Sequence, residues 1–373
     1  MNRTLIRRAT IPATAVLGLA LGLSACGASN EDSSSTTPTS STSGGAPALS
    51  GTLDGAGSSA QEAAMDAWRA AFQTANPDVT VNYDPSGSGA GVDTFVAGGV
   101  QFSGSDAYLD PDQMKAAQKE CGGSYVEVPM YISRIAVIYN LPGVDTLNLA
   151  PDTVAAIFKG GITKWNDPKI VADNPDASLP DTAITPVHRS DDSGTTFNFT
   201  DYLSQAAKSA WGSEANETWP DKSGEAADGT SGVIEAVKQG EGAVGYADAS
   251  QAGDLGIANI GVGSEFVAPS PDAAAAVVEA STPAKDRPAN DLALDINRTS
   301  TASGTYPVVL VSYQIACSSY SDPGTADLVK AFLTYELSSE GQQAAASAAG
   351  SAPLSDALSQ KATTAVATIS SAS

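Results

Sequence analysis

Apolar residues follow two spacings from residue 49 onward, and the two spacings alternate along the chain. Leu49 to Asp54 predicts a strand, whereas Ala64, Met65, Trp68 and Phe72 recur on one face of a helix. Small polar residues separate these two elements, and the same order of strand, polar turn and helix recurs downstream. The further predicted strands are Val79 to Tyr83, Val100 to Ser103, Tyr125 to Met130, Arg134 to Tyr139, Ala183 to Val187, Ala243 to Tyr246 and Val308 to Ala316.

Capping residues and prolines mark where the helices begin. Asp110-Pro111 and Asp167-Pro168 each combine an N-cap residue with a proline at the first helical position. Further helices are predicted over Pro151 to Phe158, from the residue after Thr230-Ser231-Gly232 to Gly240, and onward from Gly324. Strands that alternate with helices in this way predict an α/β protein with mostly parallel sheets.

Small polar residues lie where several predicted strands end. In parallel sheets, ligands bind at the carboxyl ends of the strands, where helix N-termini gather. We therefore expect four turns to converge on one small anion. These turns are Ser58-Ser59, Ser88, Asp106 and the stretch from Arg189 to Thr195.

The stretch from His188 to Thr195 gives the strongest single indication of an oxyanion-binding site. Ser193-Gly194-Thr195 precedes a helical pattern, so unpaired backbone N–H groups are expected there. Arg189 adds a guanidinium whose planar fork suits a tetrahedral oxyanion. The alternative is an ordinary N-cap that follows a surface arginine.

The amino-terminal residues predict export and a lipid anchor. Residues 1–25 hold three arginines and an apolar run, as a secretory signal peptide does. Leu23-Ser24-Ala25-Cys26 matches the sequence at which bacterial prolipoproteins are cleaved and lipidated on the cysteine, here Cys26. Residues 26–48 are rich in Ser and Thr and predict a flexible tether. The protein is thus expected on the outer face of the cell membrane.

Composition limits the class of protein. The 373 residues carry a net charge of −23 and are 42% hydrophobic, which suits a soluble body of two domains and argues against nucleic-acid binding. With Cys26 lipidated, Cys121 and Cys317 remain as a candidate disulfide pair in an oxidising compartment. Two buried free thiols are the alternative.

Taken in order, the polar turns resemble the ligand-binding motifs of a known family. The motifs are Gly55-Ala56-Gly57-Ser58-Ser59, Ser86-Gly87-Ser88-Gly89-Ala90-Gly91, Gly104-Ser105-Asp106 and Arg189-Ser190-Asp191-Asp192-Ser193-Gly194-Thr195. The family is that of the phosphate-binding proteins of bacterial phosphate ABC importers. The resemblance implies an α/β, two-domain periplasmic-binding-protein-like fold of type II, with a hinge and the ligand cleft between the domains.

The resemblance also implies a domain division and a ligand set. Residues 49–131 with 306–373 would form a discontinuous first domain, and residues 132–305 the second. The implied phosphate ligands and their neighbours are Ser58, Ser59, Ser88, Asp106, Arg189, Asp191, Ser193, Gly194 and Thr195. Ser59 replaces the family's usual threonine, and Asp192 stands where glycine is common, so its side chain is expected to point away from the anion.

Asp106 is the residue expected to select the anion. At neutral pH phosphate keeps a proton that a carboxylate can accept, whereas sulfate has none, so the carboxylate rejects sulfate. A capping aspartate is the alternative reading of this residue. We expect a monomer that passes phosphate to membrane permease subunits, without cofactor, metal or catalytic activity. An extracellular phosphatase or phosphotransferase, a binder of sulfate or molybdate, and an adhesion or signalling lipoprotein with a vestigial site are the alternatives.

Overall fold

The computed structural model describes residues 48–372. The predicted signal peptide, the predicted lipidation site Cys26 and the predicted tether except residue 48 lie outside the described residues. No helix among residues 48–372 is long and apolar enough to cross a membrane. The strands of this body are β1 (Gly51–Gly57), β2 (Val79–Asp84), β3 (Phe102–Ser105), β4 (Tyr125–Tyr139), β5 (Asn148–Leu149), β6 (Thr185–Arg189), β7 (Glu225–Ala227), β8 (Ala243–Asp248), β9 (Gly256–Ile257), β10 (Asn259–Val262), β11 (Glu265–Val267), β12 (Thr282–Pro283), β13 (Leu294–Asp295), β14 (Val309–Cys317), β15 (Ser319–Tyr320) and β16 (Ser370–Ser371).

Within residues 48–372, twelve α-helices accompany these strands, and most of the predicted helix starts are confirmed. Asp110 caps its helix with a capping box that Gln113 completes, and Pro111 is the first helical residue, as predicted. The helices are α1 (Glu62–Ala75), α2 (Ser88–Val96), α3 (Pro111–Glu120), α4 (Pro151–Phe158), α5 (Pro168–Asp173), α6 (Gly194–Ala206), α7 (Lys208–Trp211), α8 (Gly229–Gln239), α9 (Pro271–Glu279), α10 (Pro323–Leu337), α11 (Ser339–Ala349) and α12 (Asp356–Ala367).

One sheet of nine strands organises the body, in the order β2-β1-β3-β14-β4-β8-β6-β7, with β9 also paired to β4. Strands β1, β2 and β3 run parallel at one end, and β6, β7 and β8 run parallel at the other. Between them, β14 and β4 pair antiparallel to each other and to their neighbours β3 and β8. The expectation of mostly parallel sheets is therefore wrong for the centre of the sheet, because two strands return there from distant parts of the chain.

The prediction of two strands between residues 125 and 139 is also wrong. Tyr125–Tyr139 is one strand whose 15 residues are all buried. Its first part, as far as Arg134, pairs with β14, and Ile135 onward pairs with β8. The strand changes partner without a turn, because a neighbour is present to accept its hydrogen bonds along both halves.

Residues 290–292 run beside β4 at Glu127, although they fall within the range predicted for the second domain. The Glu127 N–H donates to Asn290 O at 3.0 Å, and the Leu292 N–H donates to Glu127 O at 2.8 Å. Arg287 forms ion pairs with Glu127 and Asp291, whose side chains are buried. A segment that follows α9 is thus fixed to the first half of the central strand β4.

Candidate anion-binding site

The helices that follow the parallel strands begin at one place in the body. Helices α1, α2 and α3 follow β1, β2 and β3, and α6 and α8 follow β6 and β7. The carboxyl ends of both parallel groups therefore deliver small polar residues to the same region. Unpaired N–H groups and the positive end of the helix dipole make such helix starts favourable surroundings for an anion.

Asp106 lies at the centre of this region and is almost fully buried, with 3% of its surface exposed. The Ser58 hydroxyl donates to Asp106 Oδ2 at 2.7 Å, and the Thr195 hydroxyl donates to the same oxygen at 3.4 Å. The Asp106 N–H donates to Ser88 Oγ at 3.1 Å. Three of the predicted site residues thus contact Asp106 directly.

Burial makes Asp106 a weaker acid than an exposed aspartate. Desolvation raises the pKa of its carboxyl to about 6, although hydrogen bonds from Ser312 and Ser58 act in the opposite direction. The nearby Asp248 carboxylate raises the pKa further, and the Arg189 guanidinium lowers it. Asp106 is therefore ionised at neutral pH, and able to accept a proton from a ligand.

Arg189 is buried with 2% exposed and is oriented by Asp191. Its Nε donates to Asp191 Oδ1 at 2.7 Å, and a terminal nitrogen donates to Asp191 Oδ2. Burial alone would raise the pKa of Asp191, but the hydrogen bond and charge of Arg189 and the Gly229 N–H lower it overall. The pair leaves one terminal guanidinium nitrogen directed toward Thr230, at 3.5 Å.

Ser59 meets Thr230, which the sequence reasoning missed as a site residue. The two hydroxyl oxygens lie 2.9 Å apart, and the Thr230 N–H donates to Ser59 Oγ at 3.2 Å. Thr230 therefore connects the start of α1 with Arg189. The motif Thr230-Ser231-Gly232 at a helix start was a usable signal, because it has the same composition as the other polar turns.

Gly194 and Ser193 bring the start of α6 against the other polar turns. Ser193 is the N-cap of α6, and its hydroxyl accepts from the Thr196 N–H at 3.2 Å. A side chain at Gly194 would place a Cβ 2.5 Å from Ser88 Oγ and 2.7 Å from the Asp106 Cβ. Glycine is thus required at this position, because α6 begins in direct contact with the turns that hold Ser88 and Asp106.

All nine predicted ligand-binding residues lie in this one cluster, and the predicted orientation of Asp192 also agrees with the structure. The Asp192 carboxylate accepts from the Thr218 hydroxyl at 2.5 Å, on the exposed side of the turn. Ser312 is a second residue missed from sequence. Its hydroxyl, on β14, donates to Asp106 Oδ1.

His188 lies beside the site without facing it. Its ring stacks on Trp219 with ring centroids 5.0 Å apart, and its Nδ1 is 2.8 Å from the Arg189 carbonyl oxygen. These contacts give the histidine a structural role in β6, next to Arg189.

Comparison with known proteins identifies the family. The PBP superfamily domain matches residues 35–340. The phosphate-binding protein PstS 3 of Mycobacterium tuberculosis is 41% identical over 325 residues, which cover 84% of this chain and 86% of that protein. The Mycobacterium leprae protein of the same name is 39% identical over 322 residues, with 83% and 86% covered.

Solved structures show the same fold at lower sequence identity. A high-affinity periplasmic phosphate-binding protein (PfluDING), bound with phosphate, matches with a TM-score of 0.69 at 21% identity, over 83% of this chain and 92% of that chain. The phosphate-binding protein from Stenotrophomonas maltophilia matches with a TM-score of 0.65 at 20% identity, over 84% and 94%. The fold is thus the α/β periplasmic-binding-protein-like fold, and the chain belongs to the phosphate-binding protein family of the PBP superfamily.

Proposed function

We propose that this protein binds inorganic phosphate outside the cell membrane and delivers it to the permease subunits of an ABC phosphate importer. The observation that carries the proposal is the pairing of a buried acceptor with buried donors. Asp106 can accept a proton from phosphate, while Arg189 and the helix starts can donate to the other oxygens. The relatives that share most of the chain's length are named as phosphate-binding proteins.

The affinity must come from short-range contacts, because the net charge of −23 repels anions at long range. Hydrogen bonds to charged groups contribute about 1.5–3 kcal/mol each, and the buried setting strengthens oriented dipoles. Several such bonds support tight binding after the cost of association is met.

Calorimetric titration of the phosphate-stripped protein tests the proposal. We expect saturable heat with phosphate at one site per chain, and little or none with sulfate or molybdate at the same concentrations. Heat with sulfate or molybdate but none with phosphate would instead assign the site to another tetrahedral oxyanion.

We infer that binding closes a hinge between two domains, residues 49–131 with 306–373 and residues 132–305. The change of partner along β4 supports a hinge near the middle of that strand. Contacts between the two sets of turns support a closed form, since the Asn198 side chain donates to Asp106 O at 2.7 Å and the Gly89 N–H donates to Asp192 O at 3.1 Å. A radius of gyration that stays constant on phosphate addition would argue against closure.

We infer that the protein acts as a monomeric receptor rather than an enzyme, held by lipid on Cys26. The hydroxyls of Ser58, Ser59 and Thr195 already form hydrogen bonds with neighbouring side chains, and His188 stacks on Trp219. Release of phosphate from a generic phosphomonoester, lost in Arg189→Ala, would support catalysis instead. Incorporation of labelled palmitate, lost in Cys26→Ala, tests the anchor.

A further inference from the structure

Both carboxylate oxygens of Asp106 accept hydrogen bonds from other groups of the protein. Ser58 donates to Oδ2, and Ser312 donates to Oδ1 from the opposite side. Ser312 is fully buried in β14, between β3 and β4, and belongs to none of the polar turns. Its neighbours in the strand are Val311 and Tyr313, so a hydroxyl here interrupts an otherwise largely apolar, buried strand.

The strand pairing explains how Ser312 reaches Asp106. Tyr313 pairs with Ser105 in antiparallel register, which places Ser312 opposite the residue that follows β3. On the other side, Ser312 pairs with Tyr131 but Tyr313 pairs with Pro129, so the register of β4 shifts by one residue at this point. Such irregularities change the direction of a side chain relative to its sheet.

We propose that Ser312 is a positioning residue for anion selection, which fixes the Asp106 carboxylate as a hydrogen-bond acceptor toward the bound anion. This inference rests on the proposed function, because it names the residue that maintains the selectivity of that same site. Ser312 acts through Asp106 and does not itself have to touch the ligand. Because it lies in the central strands of the sheet, its position is rigid.

The chemistry follows from what a protonated Asp106 would do. A protonated carboxyl donates a hydrogen bond, and a hydrogen-bond donor at this position would favour sulfate binding. The ionised carboxyl repels sulfate instead. Burial and the carboxylates of Asp248 and Glu217 favour protonation, whereas Arg189 and the hydroxyls of Ser58 and Ser312 oppose it. Tyr83 also interacts with the Asp106 charge, and Tyr108 and Asp201 line the same cavity. Without Ser312, the carboxyl should therefore take up its proton at higher pH.

The test measures sulfate and phosphate affinity between pH 5 and pH 8 in wild type, Ser312→Ala and Ser312→Thr. In Ser312→Ala, we expect the onset of sulfate binding to move up by about one pH unit, and the phosphate-to-sulfate affinity ratio near the onset to fall about tenfold. Ser312→Thr keeps the hydroxyl and should keep the wild-type profile. Ser103→Ala is the matched control, because Ser103 is equally buried on β3 and its hydroxyl has no hydrogen-bond partner.

A second measurement does not depend on any ligand. In the phosphate-free protein, a carbon-13 NMR titration of the Asp106 carboxyl should give a higher pKa in Ser312→Ala than in wild type or Ser312→Thr. An unchanged carboxyl titration, or an equal shift in Ser103→Ala, would overturn the inference even if phosphate binds tightly. A wild-type protein that does not bind phosphate would instead refute the proposed function. The carbon-13 NMR titration would still decide whether Ser312 controls the Asp106 carboxyl.

Discussion

Arg189 owes its orientation to Asp191, which occupies two of its nitrogens and leaves a third for an anion. Such a buried pair is costly to break, because the remaining partner keeps a charge without compensation. The arrangement also explains how a chain with a net charge of −23 can bind an anion. The guanidinium is held in place before the ligand arrives, so little ordering is required at the moment of binding.

Arg189→Ala should abolish detectable phosphate binding at micromolar concentrations. Truncating one member of a buried charged pair costs about 2–5 kcal/mol, and Asp191 would then face the anion without its partner. Calorimetry would measure the loss. Arg69→Ala provides a matched control, because Arg69 pairs with Asp66 at 3.1 Å on a more exposed surface. Unchanged phosphate affinity in Arg189→Ala would show that phosphate binds elsewhere in the protein.

Asp106→Asn should weaken discrimination against sulfate above about pH 6, where the wild-type carboxyl is ionised. An amide can donate to an oxyanion that carries no proton, whereas the ionised carboxyl can only accept. Competition titrations of phosphate against sulfate at pH 8 measure the effect. Full retention of selectivity in the variant would show that another group recognises the proton of phosphate.

The same variant tests the free-energy cost of burying this charge in the phosphate-free protein. The folded pKa of Asp106, about 6, is raised above the ordinary value of 3.8, so the folded state disfavours the ionised form. The resulting destabilisation is largest above pH 6 and decreases as the pH falls from 6 toward 4. Asp106→Asn should therefore raise the melting temperature at pH 8 and have little effect at pH 4. An equal effect at both pH values would contradict the raised pKa.

The sequence predicted the nine residues that cluster here, but not Ser312 or Thr230. The nine lie in polar turns, where composition signals that a backbone is close to a ligand. Ser312 lies inside an apolar strand, and only the register of β14 against β3 brings it to Asp106. Because register is a property of paired strands, a single segment of sequence does not reveal it.

At the level of elements, the helix starts form two opposed groups that meet at Gly194. The α6 start touches Ser88 and the turn after β3, and an added Cβ would also lie 2.8 Å from the Ala107 nitrogen. With an anion bound as proposed, this close approach would exclude water and so strengthen each hydrogen bond. The contact between the two groups of helix starts therefore depends on the absence of a side chain at Gly194.

Gly194→Ala should reduce phosphate affinity about ten- to hundredfold while leaving the fold intact, because overpacking costs roughly 1–3 kcal/mol and an open form can relieve it. Calorimetry and thermal denaturation measure the two effects. Gly232→Ala in α8 is the matched control, since its Cβ would meet nothing closer than 3.7 Å. Wild-type affinity in Gly194→Ala would mean that the two groups of turns need not approach so closely.

Most individual elements were predictable, but their arrangement in the centre of the sheet was not. Helix α3 has a complete capping signature, and the four buried residues of α1 repeat at helical spacing. By contrast, β4 continues through residues 131–133, where the sequence predicts a break between two strands. The strand continues because β14 and β8 supply partners from elsewhere in the chain, a tertiary effect that overrides the local pattern.

On the scale of the molecule, a disulfide joins Cys121 after α3 to Cys317 at the end of β14. The two residues are 196 positions apart, and they pack in one core cluster with Val92 and Phe95 of α2. The bond therefore fixes the late strand to helices that follow the early binding turns.

Replacing both cysteines by alanine should lower the free energy of unfolding by up to about 5 kcal/mol, the chain-entropy value for a loop of this length. Phosphate affinity should change little, because both cysteines lie away from the anion site. Guanidinium denaturation measures the first effect and calorimetry the second. Unchanged stability would mean that the unfolded chain gains little freedom when the bond is absent.

The position of β14 also determines when the protein becomes able to bind. Ser312 and Asp106 are 206 residues apart in sequence yet hydrogen-bonded, and β14 separates two strands that were made long before it. Until residues 309–317 have emerged, β3 and β4 each present an unpaired edge, which invites aggregation. Closing so long a loop is also slow. Formation of the Asp106 environment therefore depends on the insertion of a late strand between two strands that were made much earlier.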